Sequence, residues 1–144
     1  MTVPFEVVTP DRIVLTVDVN MVSLRGGGGE LGILPRHAPL SATVRPGIVK
    51  VQLPEGEDFV AVTSGFLQVV PYRITLLVET AEVGSLVDIE RANRAKERAQ
   101  KRISEHGNEE DILRAEAALQ RALNRLEAAE LSGRYGELIK QRMM

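Results

Sequence analysis

The chain has no cysteine, so disulfides and thiol chemistry are excluded, and a reducing compartment fits. It has no tryptophan, and aromatic residues make up 3% of it, so any core must rest on Val, Leu, Ile and Ala. Only two histidines are present, His37 and His106. A lone histidine is a poor metal site, and no nucleophile-base pair is suggested near His37, so no catalytic and no metal-binding constellation is expected. His106 reads as a helix-end residue favoured by the helix dipole. Strong charge of one sign is also lacking. A net charge of −2 gives no general attraction to nucleic acid or to an anionic membrane. No run approaches the ~20 apolar residues of a membrane-spanning helix. The start, Met1-Thr2-Val3-Pro4-Phe5, lacks a basic segment before an apolar one, so no secretory signal is expected. A membrane would be reached only through a partner.

What is present divides at Gly84. Residues 1–84 are rich in valine and interrupted by Gly and Pro at short intervals. Apolar residues alternate with period two, which marks strands. Strands are predicted around 5–8, 13–15, 17–24, 31–34, 40–44, 48–53, 59–63, 66–70 and 74–78. Within 17–24 the alternation changes phase, which is compatible with a bulge. Many short strands at regular spacing indicate an antiparallel sandwich or barrel. Gly26 to Gly29 reads as a flexible bend. These glycines are not a phosphate loop, because no Lys-Ser/Thr pair closes them and no helix follows.

After Gly84 the spacing switches to three and four, and residues 87–131 read as two amphipathic helices joined by a tight turn. Ser85 and Asp88 have the spacing of a capping box. The first helix carries a narrow stripe of Ile89, Ala92, Ala95, Ala99 and Ile103. Gly107 suits a left-handed C-cap and Asn108 the next N-cap. The second helix is expected to bury Ile112, Ala115, Leu119, Ala122, Leu126 and Ala129. Alanine gives up little apolar area, so the hairpin should dock modestly, which suits a mobile element as well as an ordinary one. The domain division is therefore 1–84 for the sandwich, 85–131 for the hairpin, and 132–144 as an unassigned tail.

The first helix leans basic, through Arg91, Arg94, Lys96, Arg98, Lys101 and Arg102, and the second leans acidic. One reading is a solvated face laced with i,i+4 pairs. The other comes from folding the hairpin at Gly107. Arg91 then faces the region between Arg121 and Arg125, with Arg98 two turns further along the same face. Converging guanidiniums suit a phosphate group.

At Gly29-Glu30-Leu31-Gly32-Ile33-Leu34-Pro35-Arg36-His37-Ala38-Pro39-Leu40 the sequence resembles the epsilon subunits of bacterial F-type ATP synthases. Val7-Val8-Thr9-Pro10-Asp11 and Ser64-Gly65-Phe66-Leu67-Gln68-Val69 match as well, and the resemblance covers about residues 3–131. Arg36 departs from the family pattern, which has glycine there. The resemblance implies a β-sandwich of about ten short antiparallel strands, followed by a C-terminal antiparallel α-helical hairpin. It implies a non-catalytic subunit of the rotor central stalk, which couples proton flow to ATP synthesis. It would be peripheral, at the cytoplasmic face of the cell membrane. The implied partners are the gamma subunit, the c-subunit ring and, with the hairpin extended, the beta subunit. In that extended form the hairpin inhibits ATP hydrolysis. Glu30, Leu31, Gly32, Ile33, Leu34, Pro35, His37 and Pro39 are the expected partner-binding stretch.

Some family members bind ATP on the folded hairpin through an Ile/Leu-Asp-x-x-Arg-Ala motif. Val87-Asp88-Ile89-Glu90-Arg91-Ala92 matches it, with valine first. The resemblance marks Glu82, Asp88, Arg91, Ala92, Arg98, Arg121 and Arg125 as ATP-binding. The resemblance thus implies ATP as a regulatory ligand, with no cofactor required. Two other readings compete. A free-standing adaptor with a sandwich and a coiled hairpin leaves the Gly29–Leu40 string unexplained, and a nucleotide hydrolase lacks a nucleophile, a base and a metal cluster.

Overall fold

The computed structural model describes residues 1–105 and 107–135, and of residues 134 and 135 the backbone alone. His106 and residues 136–144, most of the unassigned tail, lie outside the described residues. Ten strands come first: β1 (Val3–Val8), β2 (Ile13–Val19), β3 (Met21–Gly26), β4 (Gly29–Ile33), β5 (Leu40–Val44), β6 (Gly47–Leu53), β7 (Gly56–Val62), β8 (Gly65–Val70), β9 (Arg73–Val78) and β10 (Ala81–Val83). A single 3-10 turn, Gly84–Leu86, leads to helices α1 (Ile89–Ser104) and α2 (Glu109–Tyr135).

Hydrogen bonding joins the strands in the order β10-β7-β6-β3-β5-β8-β9-β1-β2, with β4 on β3. The pairings are antiparallel except for β1 with β9, which run parallel. The sheet folds on itself near β3, which reaches β5 only through Gly26 and Val44. Inward side chains of both halves then form one core, in which Phe5, Val22, Val51, Val60, Leu67 and Leu76 are fully enclosed. Valine dominates it, as a chain poor in aromatics requires.

The phase change expected within 17–24 is a strand boundary rather than a bulge. Asn20 stands between β2, which pairs with β1, and β3, which pairs with β6. The chain changes layers there, so the inward parity resets. The Asn20 amide donates to the Gln52 carbonyl at 2.7 Å and fixes the crossing. The glycine bend is a tight hairpin, with Gly26 paired to Gly29.

β7 is buried on both sides. Val60 and Val62 belong to the sandwich core, whereas Phe59 and Ala61 pack against Ala128 of α2, with Ile48 and Leu131 beside them. The hairpin is therefore folded onto the sandwich through α2, and α1 packs on α2. Gly84 permits this approach. A Cβ there would lie 2.3 Å from both the Ala128 carbonyl oxygen and the Ser132 hydroxyl.

The seam between the helices is built from Ala92 and Ala99 against Ala115 and Ala122, all buried. Ile89, expected in that stripe, is 54% exposed and lies outside the buried seam. α2 carries a second buried face, Asn124, Ala128 and Ser132, turned to the sandwich. It continues past Leu131 to Tyr135.

Candidate functional site

The helix caps set the site's geometry. Asp88, not Ser85, is the N-cap of α1; its carboxylate accepts the Arg91 amide at 3.1 Å. Ser85 lies in the preceding 3-10 turn. The Asp-x-x-Arg-Ala spacing thus has a local meaning: Asp88 caps, Arg91 takes the third helical position, and Ala92 leaves room on the inner face. At the other end α1 stops at Ser104 with Glu105 as C-cap, before Gly107. Asn108 caps α2 as expected, its side-chain oxygen accepting the Asp111 amide at 2.9 Å.

A cavity of about 360 Å³ opens between the sandwich and the start of α1. Arg12, Glu82, Asp88, Arg91, Ala92 and Arg125 line it, over an apolar floor that includes Val14 and Val83. Glu82 on β10 pairs with Arg125 on α2, Nε to Oε2 at 3.1 Å. Both side chains are about a third exposed, so the pair contributes about 1 kcal/mol or less and acts mainly to aim the guanidinium. Three arginines against two acids leave the cavity with a net charge of +1. Its volume is in the range of small-molecule sites, and its cations suit an anion.

Of the predicted ATP-site residues, Glu82, Asp88, Arg91, Ala92 and Arg125 share this cavity. Arg121 lines a smaller adjoining one, of about 40 Å³, which also touches Glu82 and Arg125. Arg98 is exposed and lines neither, since it lies two turns further along α1. Arg12 was not foreseen. It sits in the β1–β2 turn, distant in sequence, and only the closure of the sandwich brings it to the hairpin.

The expected partner-binding stretch runs along β4 and the loop after it. Glu30 and Gly32 are exposed, Leu31, Pro35 and His37 are half-buried, and Leu34 and Pro39 are exposed. Ile33 differs: at 1% exposure it is a core residue and anchors the stretch instead of facing out. The His37 amide donates to the Leu34 carbonyl at 3.2 Å, and the Arg36 amide to the Pro71 carbonyl at 3.0 Å. The second bond ties this loop to the β8–β9 turn. Arg36 has φ 63°, a left-handed conformation for which glycine is better suited. Among the described residues no cluster of three His, Asp or Glu side chains is placed to hold a metal, and no helix is long and apolar enough to cross a membrane.

Comparison with known proteins fits both halves. The ATP synthase delta/epsilon chain β-sandwich domain matches residues 2–84, and the long α-helix domain of the same chains matches residues 87–130. The ATP synthase epsilon chain of Halalkalibacterium halodurans is 49% identical over 129 residues, covering 89% of this chain and 97% of that one. That of Bacillus pumilus is 46% identical over 128 residues, with 89% and 97% covered. Among solved structures, a chain of the Euglena gracilis mitochondrial ATP synthase (OSCP/F1/c-ring) superposes with TM-score 0.71 at 25% identity, covering 89% of this chain and 81% of that one. A chain of the Tetrahymena thermophila mitochondrial ATP synthase central stalk and c-ring shares the fold, with TM-score 0.58 at 13% identity, covering 89% and 96%. With both domains matched end to end and relatives at this identity, the chain belongs to the ATP synthase delta/epsilon family as an epsilon chain, a structural subunit of the central stalk and not a catalytic one.

Proposed function

We propose that this epsilon chain couples proton translocation to ATP synthesis within the rotor and brakes ATP hydrolysis through its hairpin. ATP held by the folded hairpin keeps the brake off. The sandwich docks on the gamma subunit and the c-ring. The exposed Leu34 and Tyr72 support that role, since the bond from Arg36 to Pro71 joins their two loops at one end of the sandwich. On this reading the subunit is peripheral, held at the cytoplasmic face of the membrane through the complex. The exposed basic side of α1, with Arg94, Arg98, Lys101 and Arg102, supports an approach to an acidic segment of the beta subunit when the hairpin extends.

The observation that carries the nucleotide reading is the shared cavity. Arg91 from α1 and Arg125 from α2 meet Glu82 from the sandwich there, and this meeting exists only while the hairpin is folded. A ligand of that cavity favours the folded state by its differential affinity for it. Calorimetric titration of ATP, then ADP, into the full chain tests this. Saturable ATP binding is expected, and its loss is expected in Arg121→Ala combined with Arg125→Ala. No saturation at millimolar ATP overturns the nucleotide role and leaves a stalk subunit whose hairpin is set by its partners.

A further inference from the structure

The β1–β2 turn delivers a cation to the cavity from the sandwich side. Thr9 and Arg12 close that turn with reciprocal backbone bonds: the Thr9 amide donates to the Arg12 carbonyl at 2.9 Å, and the Arg12 amide to the Thr9 carbonyl at 3.3 Å. The Thr9 hydroxyl also donates to the Arg12 carbonyl, at 3.3 Å. Pro10 follows Thr9 and restricts the backbone of the turn further. The main chain beneath Arg12 is therefore fixed on the rigid part of the molecule.

The charges around the cavity are not equally engaged. Arg125 is paired with Glu82, and the Asp88 carboxylate is turned to the Arg91 amide at the start of α1. Among the described residues neither the Arg12 nor the Arg91 guanidinium has an ion-pair partner. One comes from the sandwich and one from the hairpin, and both line the same space. A polyanion lying between them satisfies both, and it leaves the Glu82–Arg125 pair intact as the third wall. Guanidinium forks are well matched to phosphate oxygens.

We propose that Arg12 is a phosphate ligand supplied by the sandwich, so that a nucleoside triphosphate ties the β1–β2 turn to both helices of the hairpin. This rests on the nucleotide reading above and deepens it. A site made by the hairpin alone would bind equally well docked or undocked and would shift nothing. Arg12 makes the docked state the tighter binder through direct contact with the ligand's charge, whereas Glu82 acts only by aiming Arg125.

The test is calorimetric titration of ATP, ADP and inorganic tripolyphosphate into the full chain. The variants are Arg12→Ala, Arg12→Lys, the Arg121→Ala/Arg125→Ala pair, and Arg73→Ala as a control for net charge. Arg12 and Arg73 are both exposed, so folding is retained, and thermal melting checks it. Arg12→Ala is expected to weaken ATP and tripolyphosphate binding about tenfold, the loss of one charge-assisted contact. Arg12→Lys should restore part of it, and Arg73→Ala should leave it unchanged. If ATP binds and the paired variant loses it while Arg12→Ala binds like the unaltered chain, the Arg12 assignment is wrong and the nucleotide site stands. An equal loss in Arg73→Ala reduces the effect to overall charge and also overturns the assignment. No saturable binding by the unaltered chain overturns both.

Discussion

Ser132 donates a hydrogen bond to the Asp58 carboxylate at 2.7 Å, and both residues are fully buried. The same carboxylate oxygen accepts the Phe59 amide at 2.8 Å. This bond joins the far end of α2 to β7, across 74 residues of sequence. A buried acceptor that loses such a donor has no water to fall back on, which makes the bond costly to remove. The hairpin, which otherwise docks through Ala128, Leu131 and the partly exposed Glu82–Arg125 pair, is therefore fastened at this point by a buried polar contact. Ser132→Ala should loosen the docked hairpin by about 1–3 kcal/mol. Hydrogen exchange of the amides around 125–132 is the measurement. Faster exchange there with an unchanged sandwich is expected, and unchanged exchange would remove the fastening role.

Gly84 tests the same contact by shape instead of polarity. An added methyl group would meet the backbone oxygen of Ala128, which no side-chain rotation can relieve. Overpacking of this kind costs about 1–3 kcal/mol or displaces the intruding element. In Gly84→Ala the element free to move is α2. Trypsin should then cut the hairpin faster at Arg94, Arg98 and Lys101, while residues 1–80 resist as before. Equal cleavage of the variant and the unaltered chain would mean that Gly84 is not a docking determinant.

Arg36 carries a backbone cost that glycine would not. A left-handed conformation costs a residue with a Cβ about 1–2 kcal/mol, and glycine's greater freedom in the unfolded chain returns about half of that. Arg36→Gly should stabilise the chain by about 0.5–1 kcal/mol, a rise of about 2–3 °C in Tm. A fall in Tm would show that the Arg36 side chain contributes more than its strain removes.

The sandwich was legible because its strands are half-buried and alternate, and the exceptions have physical causes. β10 has three residues, too few for a period to register. The phase change at Asn20 marked a change of layer, which along one strand looks the same as a bulge. The hairpin seam was legible from its alanines, but the docking face of α2 was not. Asn124, Ala128 and Ser132 repeat every four residues, yet two are polar, so a hydrophobic stripe does not reveal them. In the site, Arg91 and Arg125 followed from antiparallel helix geometry. Arg98 stands two turns along from Arg91, as its spacing requires, and so lines neither cavity, and Arg12 was invisible because no local spacing relates it to the hairpin. The capping-box spacing puts Ser85 and Asp88 on one signal, and the structure gives the cap to Asp88.

The brake can be tested by two changes that act on hydrolysis with opposite sign. If the extended hairpin inhibits, weakening its docked state should deepen inhibition, whereas removing the hairpin should abolish it. Ser132→Ala leaves every basic residue of α1 in place and only loosens the fastening at Asp58. Truncation after Gly84 removes both helices and keeps β10, so the sandwich core stays closed. The measurement is the ATP hydrolysis rate of the ATP synthase reassembled with each form, together with retention of the subunit on the gamma subunit. Slower hydrolysis with Ser132→Ala and faster hydrolysis with the truncated chain are expected, with both still bound. Added ATP should relieve part of the Ser132→Ala effect, because a ligand of the cavity favours docking again. A hairpin that only props up the sandwich would move both variants in the same direction, and that outcome would refute the brake.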